Sequence, residues 1–125
     1  MKKPKILYVD DEFINLKLFE ANFENMYNVL TAQDGFKALD IISNNNDINV
    51  VFSDMKMPNM NGLEFIKKAR KLLQQINYYI LTGFDITDEI QEALDNGLIQ
   101  KYFSKPFKID ELMYEIESAI KNGDI

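Results

Sequence analysis

The chain has 125 residues, 46% of them hydrophobic, which is enough for one well-formed core and is read as a single domain over residues 1–125. A net charge of -6 and a pI near 4.6 weigh against nucleic acid or an anionic membrane surface as a direct partner. With no cysteine and no histidine, a disulfide framework, thiolate chemistry, a histidine triad, a histidine-ligated zinc site and a phosphohistidine carried by this chain are all excluded.

The basic start Met1-Lys2-Lys3-Pro4-Lys5 leads into an apolar run that breaks at Asp10, too early for a signal segment, and no stretch reaches membrane-spanning length. A cytoplasmic protein is therefore expected. That first run, Lys5–Val9, is short, continuous and rich in β-branched or aromatic residues, as is a strand buried on both faces of a parallel sheet. A helix is predicted over Phe13–Asn25, with Leu18, Phe19 and Phe23 turned to the sheet. Strand Asn28–Thr31 follows, then helix Gly35–Ser43 with Asp34 as its N-cap. The polar stretch Ser43–Asp47 is a loop before strand Asn49–Ser53, and Met57–Gly62, with Pro58, is another.

Helix Leu63–Leu73, strand Tyr78–Leu81, helix Asp88–Asp95 capped by Thr87, strand Lys101–Phe103 and helix Leu112–Lys121 complete the pattern. Gly97 suits a left-handed stop after the fourth helix. Alternating strands and helices joined by short connections imply an α/β fold, a doubly wound parallel sheet with five helices on its two faces. The flavodoxin-like strand order 2-1-3-4-5 fits five strands, and it makes the first and third neighbours.

That order is the step from pattern to chemistry. Asp10 and Asp11 follow the first strand, Asp54 the third, Thr82 the fourth and Lys105 the fifth, all at the carboxyl edge where such folds bind ligands. Three converging carboxylates repel unless a cation joins them, and a hard divalent ion with oxygen ligands suits them. A carboxylate can also serve as the nucleophile that forms an aspartyl-phosphate, with Mg²⁺ and lysine neutralising the charge of the transferring group. Taken singly, each residue has a plainer reading: Asp11 as a helix cap, Thr82 as a turn residue, Lys105 as a solvated charge. Five at consecutive strand ends favour the phosphoryl reading.

The chain resembles the receiver domain of two-component response regulators, similar to the chemotaxis regulators. The resemblance is carried by Leu7-Tyr8-Val9-Asp10-Asp11-Glu12, by Asp54-Met55-Lys56-Met57-Pro58-Asn59-Met60-Asn61-Gly62, by Leu81-Thr82-Gly83 and by Tyr102-Phe103-Ser104-Lys105-Pro106-Phe107. It implies Asp54 as phosphoacceptor, Asp11 as a direct Mg²⁺ ligand, Asp10 as one acting largely through water, and the Lys56 backbone carbonyl as a further ligand. It further implies Lys105 as the phosphate-pairing lysine, Thr82 and Tyr102 as the switch pair, and a cis bond before Pro106. The donor would be a histidine kinase or a histidine phosphotransfer protein, and the last helix–strand–helix face is a candidate homodimer surface. The switch is expected in the loop Gly83–Asp85, with Gly83 leaving the mouth of the site open. Phe13 and Ile14, beside Asp11, are either a donor contact or partly buried against the Pro58 loop.

Enzymatic turnover is not expected beyond slow self-dephosphorylation. The alternative, an aspartyl-nucleophile phosphohydrolase, would want a second carboxylate two residues past the nucleophile, where Lys56 stands. A flavin carrier of the same topology would want a phosphate loop where Asp10-Asp11 would repel phosphate.

Overall fold

Five apolar runs become the strands of one parallel sheet in a computed structural model that describes residues 3–83 and 86–123. The strands are β1 (Lys5–Val9), β2 (Asn28–Ala32), β3 (Val50–Asp54), β4 (Asn77–Thr82) and β5 (Lys101–Ser104), and the helices α1 (Phe13–Phe23), α2 (Gly35–Asn44), α3 (Gly62–Leu72), α4 (Asp88–Asp95) and α5 (Ile109–Gly123). Strand order is β2-β1-β3-β4-β5, as the sequence predicted. The boundaries are also close, except that α5 starts three residues before the expected Leu112. Asp54 and Thr82 are the last residues of their strands and not the first beyond them.

The sheet carries a core on each face. On one, Tyr8, Phe52, Tyr79 and Phe103 pack against Phe19 and Phe23 of α1 and Leu112 and Ile116 of α5. On the other, Leu7, Val9, Val51 and Ile80 meet α2, α3 and α4 through Ala38, Phe65, Ile66 and Ile90. Burying one such large side chain contributes about 1.5–3 kcal/mol, so this double-sided burial supplies most of the drive to fold.

One expected core residue is corrected. Leu18 is 52% exposed, and Leu16 takes its place with Phe19 and Phe23 in the buried stripe. The reason is geometric: at about 100° per residue, Leu16, Phe19 and Phe23 fall within roughly 60° of the helix circumference, whereas Leu18 lies about 100° outside that stripe. Because α1 is apolar on two faces, its pattern alone did not say which one is buried.

Local signals behave as read. The side chain of Asp34 accepts from the Lys37 amide and that of Thr87 from the Ile90 amide, each satisfying an orphan donor of its helix. Gly97 adopts φ +79° just after α4, and the Lys105–Pro106 bond is cis. Among the described residues no helix is long and apolar enough to cross a membrane.

Candidate functional site

β1 and β3 lie side by side in register, Val9 opposite Ser53, so Asp10 and Asp54 leave the same sheet edge as neighbours. One carboxylate oxygen from each of Asp10, Asp11 and Asp54 lies within 4.8 Å of the others. Asp10 and Asp54 are buried, whereas Asp11 is exposed and therefore open to a ligand arriving from solvent. Thr82 is buried at the end of β4, beside β3.

β5 supplies the opposing charge. Its last residue pairs with Thr82, and the Lys105 amide then donates to the Thr82 carbonyl at 2.8 Å, directing the lysine side chain over the edge. Lys105 Nζ donates to Asp10 Oδ2 at 2.9 Å and stands 3.2 Å from Asp54 Oδ1. The ammonium thus bridges two of the three carboxylates.

Electrostatics follow from this crowding. Burial pushes the Asp54 carboxyl up to about 6; the Lys105 charge opposes the rise, while Asp10 and Asp11 add to it. For Lys105 burial works against the charged form, yet the hydrogen bond and charges of Asp10 and Asp54 outweigh it, and its pKa is raised. Lys105 alone does not balance the three acidic groups. An excess of buried or half-buried oxygen charge, with one member open to solvent, is the donor set a hard divalent cation prefers.

The loop after β3 shapes the wall. Met55 and Gly62 are joined by a backbone hydrogen bond from the Gly62 amide to the Met55 carbonyl, 2.8 Å long. Asn61 and Glu64 cap α3 reciprocally, at 2.9 and 3.0 Å, which fixes the helix start against β3. Gly62 is required there by space: a Cβ would lie 2.3 Å from the Asp54 carbonyl oxygen. An open cleft of about 570 Å³ results, lined by Asp11, Glu12, Asp54, Lys56, Met57, Pro58, Gly83 and Lys105. Lys56 stands exposed on its rim, and among the described residues nothing lies within 4 Å of where a Gly83 Cβ would sit.

Tyr102, two residues before the end of β5, is half-buried opposite Ile80, and it packs against the α3/α4 side of the core. Of the expected switch loop, Phe84 and Asp85 lie outside the described residues. Phe13 and Ile14 are 58% and 70% exposed, so most of each side chain faces solvent.

Sequence reasoning passed over two residues that the fold brings to the site. Tyr8 Oη and Asn15 Nδ2 both donate to Asp10 Oδ2. A signal existed for the first: a tyrosine inside an aliphatic strand needs a partner for its hydroxyl, and residues two apart share a strand face. Asn15 gave none, since its approach to Asp10 depends on where α1 packs.

A doubly wound sheet with an acidic cluster and a lysine at its carboxyl edge places the chain among α/β domains that carry a ligand site at that edge, with groups chemically suited to a phosphoryl group. The match to known proteins is narrower. The family model of the response regulator receiver domain matches residues 6–117, and the chain belongs to that family. It is similar to sporulation initiation phosphotransferase F of Bacillus subtilis, with 36% identity over 113 residues that make up 90% of each chain. The chemotaxis protein CheY homolog of Campylobacter jejuni is 31% identical over 123 residues, 95% of this chain and 94% of that one. A crystal structure of a response regulator receiver domain protein from Clostridium thermocellum superposes with a TM-score of 0.90 at 32% identity, covering 97% of both chains. This is a signalling domain of two-component systems, a family phosphorylated by histidine kinases.

Proposed function

We propose that the chain, acting as one receiver domain, is a phosphorylation-dependent switch of a phosphorelay, accepting a phosphoryl group on Asp54 from a partner phosphohistidine. The observation that carries this reading is the position of Lys105 Nζ, 2.9 Å from Asp10 and 3.2 Å from Asp54, over an open cleft.

An Asp54 carboxylate oxygen attacks the donor phosphorus. The P–N bond breaks, its electron pair returns to the imidazole nitrogen, and that nitrogen takes a proton from water. With its pKa near 6, Asp54 is largely ionised at pH 7 and competent as the nucleophile. Asp10, Asp11 and Asp54, with the Lys56 carbonyl, would hold Mg²⁺, which when bound neutralises charge on the phosphoryl oxygens. Lys105 releases part of its hold on Asp54 and pairs with the incoming group, and the Thr82 hydroxyl donates to a phosphoryl oxygen.

The added charge, roughly -1.5 to -2 units, biases an equilibrium between two arrangements of Thr82 and Tyr102. Half-burial of Tyr102 suits an aromatic with an inner and an outer position. The surface that responds is formed by α4, β5 and α5, where Tyr114 is exposed and Lys101 pairs with Glu115 at 3.6 Å. It serves either a partner or a second copy. Phe13 and Ile14, exposed beside Asp11, form a contact for the helix of a histidine kinase or histidine phosphotransfer protein.

Intact mass after incubation with Mg²⁺ and acetyl phosphate tests the chemistry. Wild type gains one phosphoryl group and Asp54→Asn gains none; an equal gain in both variants rejects Asp54 as the acceptor.

A further inference from the structure

The two oxygens of Asp10 are unequally used. Oδ2 accepts from Tyr8 Oη at 2.5 Å, from Lys105 Nζ at 2.9 Å and from Asn15 Nδ2 at 3.2 Å. Oδ1 accepts only the Glu12 amide among the described residues, at 2.9 Å. A carboxylate has about four lone-pair sites, so Oδ2 is saturated and the spare capacity lies on Oδ1.

The donors that saturate Oδ2 are themselves held. The Tyr8 ring is buried and stacks on Phe19, with centroids 4.4 Å apart and planes at 24°, so its hydroxyl has no route to solvent. Asn15 stands in the first turns of α1, whose Leu16 and Phe19 are locked in the core. Neither side chain has a place in the transfer chemistry. Among the described residues, each donates its side-chain hydrogen bond to Asp10.

We propose that Tyr8 and Asn15 are positioning residues: they pin Oδ2 of Asp10, so that Oδ1 faces the cation site and Lys105 stays shared between Asp10 and Asp54. The inference rests on the phosphoacceptor reading above. Its physical content is competition for one oxygen. With the neutral donors in place, the carboxylate cannot turn Oδ2 toward an incoming ion or follow Lys105 as the ammonium swings to the phosphoryl group. Without them it rotates, and the ligand set must be reordered each time a cation binds.

The experiment is calorimetric titration of the full chain with MgCl₂, for wild type, Tyr8→Phe and Asn15→Ala, alongside acetyl phosphate uptake as a function of Mg²⁺. Tyr8→Phe removes one oxygen and keeps the ring on Phe19. Hydrogen bonds to charged groups are worth about tenfold or more in an equilibrium constant, so the Mg²⁺ Kd should rise about 10-fold. Asn15→Ala, which loses the longer bond, should raise it by a smaller factor. Uptake should be recovered as Mg²⁺ is raised, a shift in half-saturation rather than in the plateau. A residue that merely packs the core would lower the plateau through misfolding and leave the Kd of the folded fraction unchanged.

Superimposable Mg²⁺ isotherms for wild type and both variants would overturn the proposal. So would a lowered plateau at unchanged Kd. If wild type itself takes up no phosphoryl group, the underlying reading falls, which is a distinct result.

Discussion

Gly62→Ala tests whether the start of α3 is held against β3 by the absence of a side chain. A Cβ at this position would meet the Asp54 carbonyl oxygen at 2.3 Å, Ile80 Cδ1 at 2.8 Å and Met55 Cα at 3.1 Å. Weak C–H···O contacts sit at about 3.3–3.6 Å, so the first approach is roughly 1 Å too close. Two of the three atoms belong to backbone, and the Gly62 amide is tied to the Met55 carbonyl, so no side-chain rotation relieves the clash. Overpacking of this kind costs about 1–3 kcal/mol, and alanine's better helix propensity returns at most ~1 kcal/mol.

The balance, a net loss of about 1–2 kcal/mol at a urea m-value of roughly 2 kcal/mol/M, lowers the unfolding midpoint by about 0.5–1 M. Function should suffer more than stability. Pushing α3 off β3 displaces Asp54 relative to Lys105, and a misplacement of about 1 Å can cost ~100-fold in rate. The assay is urea unfolding with acetyl phosphate uptake measured in buffer, using Gly83→Ala as the stability control. Among the described residues nothing lies within 4 Å of a Cβ at Gly83, and its φ is not in the left-handed region. The control should therefore match wild type or gain up to about 1 kcal/mol through the unfolded state. Equal midpoints for the Gly62 and Gly83 variants would refute the reasoning.

Other outcomes can be checked with the same protein. Tyr102→Ala should keep phosphoryl uptake at Asp54 and blunt the response of the α4–β5–α5 surface, read by amide exchange with and without phosphorylation; an undiminished response removes Tyr102 from the switch. Alanine at both Phe13 and Ile14 should slow transfer from a phosphohistidine donor several-fold and leave uptake from acetyl phosphate unchanged, and equal slowing with both donors would contradict a docking role. Those exposed positions should cost less than about 0.5 kcal/mol of stability. Alkaline unfolding has a defined sign. Burial pushes the Tyr79 phenol up to about 12, and burial likewise raises Tyr78 and Tyr27. In the unfolded chain tyrosine ionises near pH 10, so stability is intact below about pH 10 and drains away between there and about pH 12. Tyrosinate absorbance and circular dichroism should change together; ionisation of the buried phenols with native dichroism retained would count against this.

The fold was largely legible in the amino-acid order. Runs such as Ile6–Val9 and Val50–Phe52 are too short for helices and too continuously apolar for one-sided strands, which leaves a buried parallel sheet, and right-handed crossovers then restrict the strand order. Caps at Asp34 and Thr87 and the stop at Gly97 are local, depending on a few neighbouring residues, so they too could be read directly. The placement of Asp10, Asp11, Asp54, Thr82 and Lys105 along one edge followed from that topology.

What chain order could not decide is whatever depends on the rotation or approach of whole elements. α1 offers two apolar faces, and only its packing on β1 and α5 showed that Leu16 is buried while Leu18 joins Ile14 in solvent. Likewise, Asn15 reaches Asp10 only because α1 docks at one angle, and Lys105 comes within 2.9 Å of Asp10 across 95 residues of sequence. Periodicity and composition are properties of a segment by itself and survive in the sequence. Hydrogen bonds between segments are settled by packing, where differences of about 1 Å separate a bond from none.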